Sequence, residues 1–438
     1  MLLALLGLGS GDVVAVAGAG GKTTLLRALA ADGRATGLRV LVTGTTHTGP
    51  DSVGPLVLEA EAEDLAAAVR RALDREGAAT VLGRRVREDK VQGLAPEQVE
   101  RLRGLADLVL VESDGARRRL LKTPAEHEPV VPASATALVV VASLEALGRP
   151  LDATTVHRLE RVLEAAARPE GSAIDAFVVG RALVSGYPAH RAPGARLLAF
   201  LNAAESEAAR AAAVAIAGGL VPPYDAVVAG SARNGTAERV PSVHGLVLAA
   251  GGSTRMGQAK LLLPLGGQPL VAHALRPLFE AGLSRVVVVL GAEADAVRAA
   301  LPDDPRIVPV VNPSWRTGMA SSLRAGIAAC DAADAVLVVL GDQPSVTAPA
   351  VTRVLAEAPG RPLVVATHGD RIVHPMLFGR ELFPELDALE GDVGARAVVR
   401  RHLGRAARVA GEAPWDVDTP DDYRAALEGR PPRGGEGL

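Results

Sequence analysis

Ten short runs of apolar residues, separated by stretches rich in Ala, Leu and Arg, constrain this chain more than any other feature. Six lie in the first half: Val13 to Ala17, Val40 to Thr43, Leu108 to Glu112, Leu138 to Ala142, Leu197 to Leu201 and Ala226 to Ala229. Four follow: Leu246 to Leu248, Val286 to Leu290, Val336 to Leu340 and Leu363 to Ala366. A strand apolar at nearly every position has no face to offer water, so helices must cover it on both sides. The pattern predicts an α/β protein with mainly parallel sheets. With 438 residues the chain exceeds one ordinary core. The polar segment Ser231 to Ser242, SARNGTAERVPS, reads as a linker. The expected organisation is a first domain over 1–230, a linker over 231–242, a second domain over 243–428 and a disordered tail over 429–438.

Composition narrows the partners. Net charge is −3, with acids and bases interspersed, which argues against a nucleic-acid or membrane-surface binder. The single cysteine, Cys330, excludes an internal disulfide and fits a reducing, cytoplasmic setting. No Cys/His spacing suits structural zinc. The apolar start, MLLALLGLGSGD, lacks a basic flank and a cleavage site, so it reads as the edge of the first domain rather than a signal peptide. No run reaches membrane-spanning length.

Two glycine-rich loops carry the chemistry. After the run ending at Leu248 comes Ala249-Ala250-Gly251-Gly252, then Arg255, Gly257 and Lys260. Glycines let backbone amides approach an anion, and Arg255 and Lys260 add two cations. The loop is suited to a nucleoside triphosphate. Of 47 basic residues only Lys22, Lys90, Lys122 and Lys260 are lysine, and two of the four close such loops. Asp342 follows the run Val336 to Leu340, at the ligand edge of an α/β sheet, and is the first candidate for magnesium. Ser321 and Ser322 read either as caps of a helix running to Ala329 or as nucleotide neighbours. Trp315 reads either as core or as a stacking surface.

The other loop is Gly18-Ala19-Gly20-Gly21-Lys22-Thr23-Thr24, between a strand and a helix. That context belongs to a P-loop-like phosphate site, although the usual GxxxxGK[ST] spacing fails at Val16. Lys22 and the amides would hold phosphates, and Thr23 a magnesium ion. Glu112 or Asp114, after the run from Leu108, is the acid expected beside it. Arg117, Arg118, Arg119 and Lys122 form a basic cluster that fits a bound anion and a solvated turn equally well. His127 reads as a ligand, a base or a surface histidine.

LAAGGSTRMGQAKLLLP, NPSWRTGMASSLRAGI, VVLGDQPSV, HPMLF, GDVGAR and WDVDTPDDY occur in this order over Val243 to about Glu428. This block resembles the molybdenum cofactor cytidylyltransferases, which have a Rossmann-like nucleotidyltransferase domain. The resemblance implies transfer of CMP from CTP to molybdopterin cofactor with release of pyrophosphate. It implies Asp418 as second magnesium ligand, with Asp416 a possible substitute, and the Ala249-Ala250-Gly251 triplet as the mark of CTP. It also implies nucleotide contacts from Leu248, Ala249, Ala250, Gly251, Gly252 and Ser322, and a pterin-side pocket with His374, Asp392 and Arg396. The first block carries GAGGKTT, ESDGARRRLLKTPAEHEP and HRLE. It resembles the accessory proteins of selenium-dependent molybdenum hydroxylases, and its loop is similar to that of Mur-type ligases. The expectation is a three-layer α/β domain binding ATP or GTP, with a hydroxylase apoenzyme as client. Asn202-Ala203-Ala204-Glu205 stands where a guanine reader is expected and departs from that pattern. Two other readings stay open: the same fold with another phosphate acceptor, and a nucleotide-gated cofactor chaperone without transfer activity.

Overall fold

The computed structural model describes residues 1–49 and 52–431. The chain divides into two compact units, Met1–Glu205 with Leu220–Val240, and Ser206–Gly219 with Pro241–Leu438.

The first unit is built on a nine-stranded sheet. Its order is Thr236–Arg239, Ala226–Ser231, Arg196–Asn202, Ala137–Ser143, Val13–Gly18, Leu108–Glu112, Val40–Gly44, Ala78–Leu82, Leu56–Leu58. Every pairing is parallel except that of Thr236–Arg239 with Ala226–Ser231. Successive side chains of a strand point to opposite faces, and the two cores follow that rule. Val14, Val16, Leu108 and Leu110 join one cluster, which also takes in Leu25, Leu26 and Leu29 of the helix Lys22–Ala35. Val13, Val109 and Val111 join the other, with Val69, Leu73, Val99 and Leu102 from helices. The result is the expected three-layer α/β arrangement. Val13–Gly18 lies between Leu108–Glu112 and Ala137–Ser143, where strand order reverses. In open α/β sheets, ligands bind outside the strand ends at such a reversal. Leu2, Leu3, Leu6 and Leu8 pack into the first cluster, so the apolar start is part of this core.

The second unit has a seven-stranded sheet ordered Ile307–Val311, Val286–Leu290, Val243–Ala249, Ala335–Leu340, Arg371–Gly379, Leu363–His368, Ala407–Ala410. Only Arg371–Gly379 runs antiparallel to its neighbours. Leu246, Val287, Val289, Val336 and Val338 pack with Ala320, Leu323 and Ile327 of the helix Met319–Ala328.

Two features depart from the sequence reading. The segment expected as a linker carries the edge strand Thr236–Arg239, joined to Ala226–Ser231 across Asn234-Gly235. Gly235 takes a left-handed backbone (φ 66°) that lets the chain reverse. The helix Glu207–Leu220, expected in the first domain, groups with the second unit through Ser206–Gly219. Its Gly218 and Gly219 allow close approach. A Cβ on Gly218 would lie 2.3 Å from the Val243 carbonyl oxygen, and one on Gly219 2.6 Å from Ser284 Oγ. Of the expected disordered tail, residues 432–438 lie outside the described residues. Among the described residues no helix is long and apolar enough to cross a membrane.

Candidate functional site

In the second unit, the strand Val243–Ala249 delivers its C-terminal loop to the sheet edge where Ala335–Leu340 delivers Asp342. Lys260 is 8% exposed, and its Nζ donates to Asp342 Oδ2 and to Asp418 Oδ1, both at 2.7 Å. Arg255 donates to the other oxygen of Asp418 at 2.9 Å. The four residues expected to carry the chemistry are therefore one charged centre. Burial alone would lower the Lys260 pKa, but Asp342 and Asp418 outweigh it and hold the ammonium above its ordinary range. Burial would likewise raise Asp418, yet Lys260 and Arg255 keep it below the usual carboxylate range.

Cavities flank this centre. One of about 590 Å³ is lined by Gly251, Gly252, Ser253, Gly291, Trp315 and Arg316, and by Ala259 and Leu261 on either side of Lys260. A Cβ on Gly252 would come within 2.9 Å of the Trp315 ring, so any larger residue there would have to displace the ring. Trp315 also packs partly against the core, and the Arg316 guanidinium lies 4.5 Å from its ring centre. It thus fills the core in part while one side of it lines the cavity. The other cavity, about 520 Å³, is lined by His374, Asp392 and Arg396, which the sequence grouped, together with Arg371, Gln343 and Asp416. Burial, then the Arg396 charge, push the His374 pKa down to about 4, so the ring is neutral near pH 7. Asp392 accepts from the Met319 amide at 3.3 Å.

Some expected residues stand elsewhere. Leu248 lines the cavity of His374, not the glycine-loop cavity. Ala249 and Ala250 are buried at the strand end, where the Ala250 carbonyl accepts from the Ala292 amide. Ser321 and Ser322 line neither cavity. Both hydroxyls accept from Asn312 Nδ2, at 2.9 and 3.0 Å, and the helix N-cap is Gly318. Asp416, raised only as a substitute, lies among the acids. Burial, then Asp342 and Asp418, lift its pKa to about 6.

The residues fit a divalent cation. Asp342 Oδ1 is buried with no hydrogen-bond partner, and two carboxylates beside phosphate oxygens are what magnesium usually takes from a protein. Among the described residues no group of three or more His, Cys, Asp or Glu is arranged to hold a metal alone.

In the first unit, Gly18, Gly20 and Gly21 all have positive φ (98°, 75°, 139°), and Lys22 begins the helix. Lys22 Nζ donates to the Gly18 carbonyl at 2.8 Å and lies 3.2 Å from Asp114 Oδ1. Asp114 is fully buried, accepts from the Gly18 amide at 3.1 Å and pairs with Lys122 at 2.8 Å. Lys122 also pairs with Glu128, and Glu128 with Arg158. The structure thus separates the two candidate acids. Asp114 neutralises lysines, while Glu112 shares a small cavity with Thr23, Thr43 and Thr48 and accepts from Thr48 at 3.0 Å. Thr24 is half-buried in the first turn of the helix. His127 is exposed, with its Nε2 3.4 Å from Arg158. Asn202, read only as a failed base reader, holds the loop. Its Nδ2 donates to the Gly20 carbonyl at 2.9 Å, and its Oδ1 accepts from Ala232 at 3.0 Å. Its position at the end of a strand was the signal available.

Comparison with known proteins agrees with both halves. Residues 245–407 match the model of the MobA-like NTP transferase domain, and residues 14–160 that of the YqeC protein family. The nicotine blue oxidoreductase of Paenarthrobacter nicotinovorans is 37% identical over 42% of this chain and 88% of its own length. The purine catabolism protein PucB of Bacillus subtilis is 30% identical over 42% of this chain and 96% of its own. YqeC of Escherichia coli is 38% identical over 33% of this chain, which spans 57% of that relative. The chain belongs, through its second half, to the MobA-like NTP transferase family, and it carries a YqeC domain in its first.

Proposed function

We propose that the second unit transfers CMP from CTP to the terminal phosphate of molybdopterin cofactor, releasing pyrophosphate, in the maturation of molybdenum hydroxylases. The observation that carries this reading is Lys260 bridging Asp342 and Asp418 at the foot of a glycine-rich loop, between two cavities. Both reactants are anions, so the barrier is largely repulsion and positioning. The glycine loop and Arg255 receive the triphosphate. Lys260 offers a compact cation, well suited to charge developing on the α-phosphate. Arg396 and Arg371 give the second cavity a positive wall for a phosphorylated acceptor, and neutral His374 leaves room for an uncharged ring system. Asp342 and Asp418 would hold magnesium, which when bound offsets phosphate charge. The first unit acts as a nucleotide-binding accessory module for ATP or GTP that modifies or inserts the cofactor, with the hydroxylase apoenzyme as client and the cytoplasm as setting.

The test is pyrophosphate release and dinucleotide formation from molybdopterin cofactor with magnesium and CTP or GTP. Turnover is expected with CTP, and Asp342→Asn lowers it by about 10²–10³-fold. Preference for GTP would overturn the reading of Ala249-Ala250-Gly251. An oxidoreductase is among the relatives of this half. No pyrophosphate release, but oxidation of a reduced nicotinamide cofactor, would move the second unit to that class.

A further inference from the structure

The turn Ala116–Arg119 has no part in the interactions described so far. The Arg119 amide donates to the Ala116 carbonyl at 2.9 Å, and both central residues, Arg117 (φ 48°) and Arg118 (φ 60°), have left-handed backbone. Positive φ at both centres is the pattern that Asn-Gly adopts readily and that long L side chains resist. Both arginines are exposed, and among the described residues neither has a hydrogen bond or ion pair.

Their surroundings are already cationic. Two residues after Arg119, Leu121–Lys122 pairs in parallel with Val156–His157, and the next residue, Arg158, is also left-handed (φ 61°). Lys122 and Arg158 are committed to Asp114 and Glu128. His157 lies below its ordinary pKa, first through burial and then through Lys122, Arg158 and Arg117, with Glu128 acting the other way. Arg117 therefore stands close enough to share one field with Lys122 and Arg158, without an acid of its own. A turn that needed only to reverse the chain would gain from Asn-Gly. Strain at exposed charged residues persists where a function holds it.

We propose that the Arg117–Arg118 turn binds the phosphate groups of a small molecule separate from the nucleotide in the Gly18–Thr24 loop. Two guanidinium forks match phosphate oxygens bidentately. Asp114 joins the two places, since it pairs with Lys22 of the loop and with Lys122 after the turn. The first unit would then hold two phosphorylated ligands at once, as a phosphotransferase or a carrier of a phosphorylated cofactor does. This assignment does not depend on the transfer reaction of the second unit.

The test is hydrogen exchange on the full chain with inorganic pyrophosphate as probe. Wild type is expected to show slowed amides over 115–120, in addition to responses at 18–24 and 250–260. The double variant Arg117→Asn/Arg118→Gly restores the favoured turn and removes the charge. It is expected to need at least about tenfold more pyrophosphate for protection at 115–120, while its Tm rises by a few degrees. Arg117→Gln/Arg118→Gln keeps the backbone cost, and is expected to lose the same protection without the gain in Tm. Undiminished protection in both variants would overturn the proposal. So would protection over 115–120 that appears with ATP or GTP but never with pyrophosphate, because the arginines would then serve the tail of the loop-bound nucleotide.

Discussion

Single residues in this chain are held by contacts whose loss can be read in advance. A Cβ on Gly18 would lie 2.2 Å from the Val141 carbonyl oxygen, on backbone with φ 98°. Neither the overlap with main chain nor the left-handed conformation can be relieved by a side-chain movement. Gly18→Ala is expected to destabilise the first unit by on the order of 3 kcal/mol, measurable by urea unfolding. His244 offers a test by pH. It is 2% exposed, and burial, followed by Arg285, pushes its pKa to about 4 from 6.5. Between those values the unfolded chain takes a proton that the folded chain refuses. The stability present above pH 6.5 is therefore lost as pH falls through this window, by up to about 3 kcal/mol. Urea unfolding at pH 7.5 and 4.5 is expected to show a smaller difference in His244→Gln than in wild type. At this scale the sequence disclosed the loop residues, the lysines and Asp342, because each residue type is unusual in its local pattern. It hid the service of Asn202, whose partners Gly20 and Ala232 are far along the chain.

At the scale of elements, the strand runs were legible because a strand covered on both faces must be apolar throughout. The edge strand Thr236–Arg239 was not, since three of its four residues are polar and it has only one neighbour. Asn234-Gly235 was the available hairpin signal, masked by the polar residues around it. Arg371–Gly379 was missed for a similar reason: it begins with Arg and is interrupted by His374, which lines the cavity, and by Pro375. Asn312 shows how one element is fixed to another. It follows the strand Ile307–Val311, its amide donates to the Leu290 carbonyl at 2.7 Å, and its side chain reaches Ser321 and Ser322 on the helix Met319–Ala328. Trp315, on the glycine-loop cavity, lies in the loop between them. Asn312→Ala is expected to loosen that loop and raise the KM for CTP about tenfold while changing kcat less. Steady-state pyrophosphate release checks this, since lost ground-state positioning falls mainly on KM.

For the whole molecule, the chain passes between its two units three times, near residues 205, 219 and 240. Separating the halves at Val240 therefore leaves Ser206–Gly219 on the wrong fragment. Ser284 Oγ would lose the Ala215 carbonyl it now reaches at 3.2 Å, and Val243 the close approach of Gly218. A fragment of Pro241–Leu438 is expected to melt several degrees below the same fragment supplied with a peptide of residues 206–219, as read by calorimetry. The sequence could not disclose this. The helix has the Ala-rich apolar composition that either unit would accept, and only Gly218 and Gly219 record which neighbour it meets.

The same interleaving sets an order of events on the ribosome. The helix Glu207–Leu220 is made before the last two strands of the first sheet and before any strand of the second. At roughly 5–20 residues per second, several seconds pass before Val286–Leu290 emerges beside Val243–Ala249. Through that interval an apolar helix has been translated and its destination has not. Nascent-chain quality control would therefore meet this protein at its middle, and a chaperone that holds the segment briefly would decide how much of the synthesis ends in folded protein.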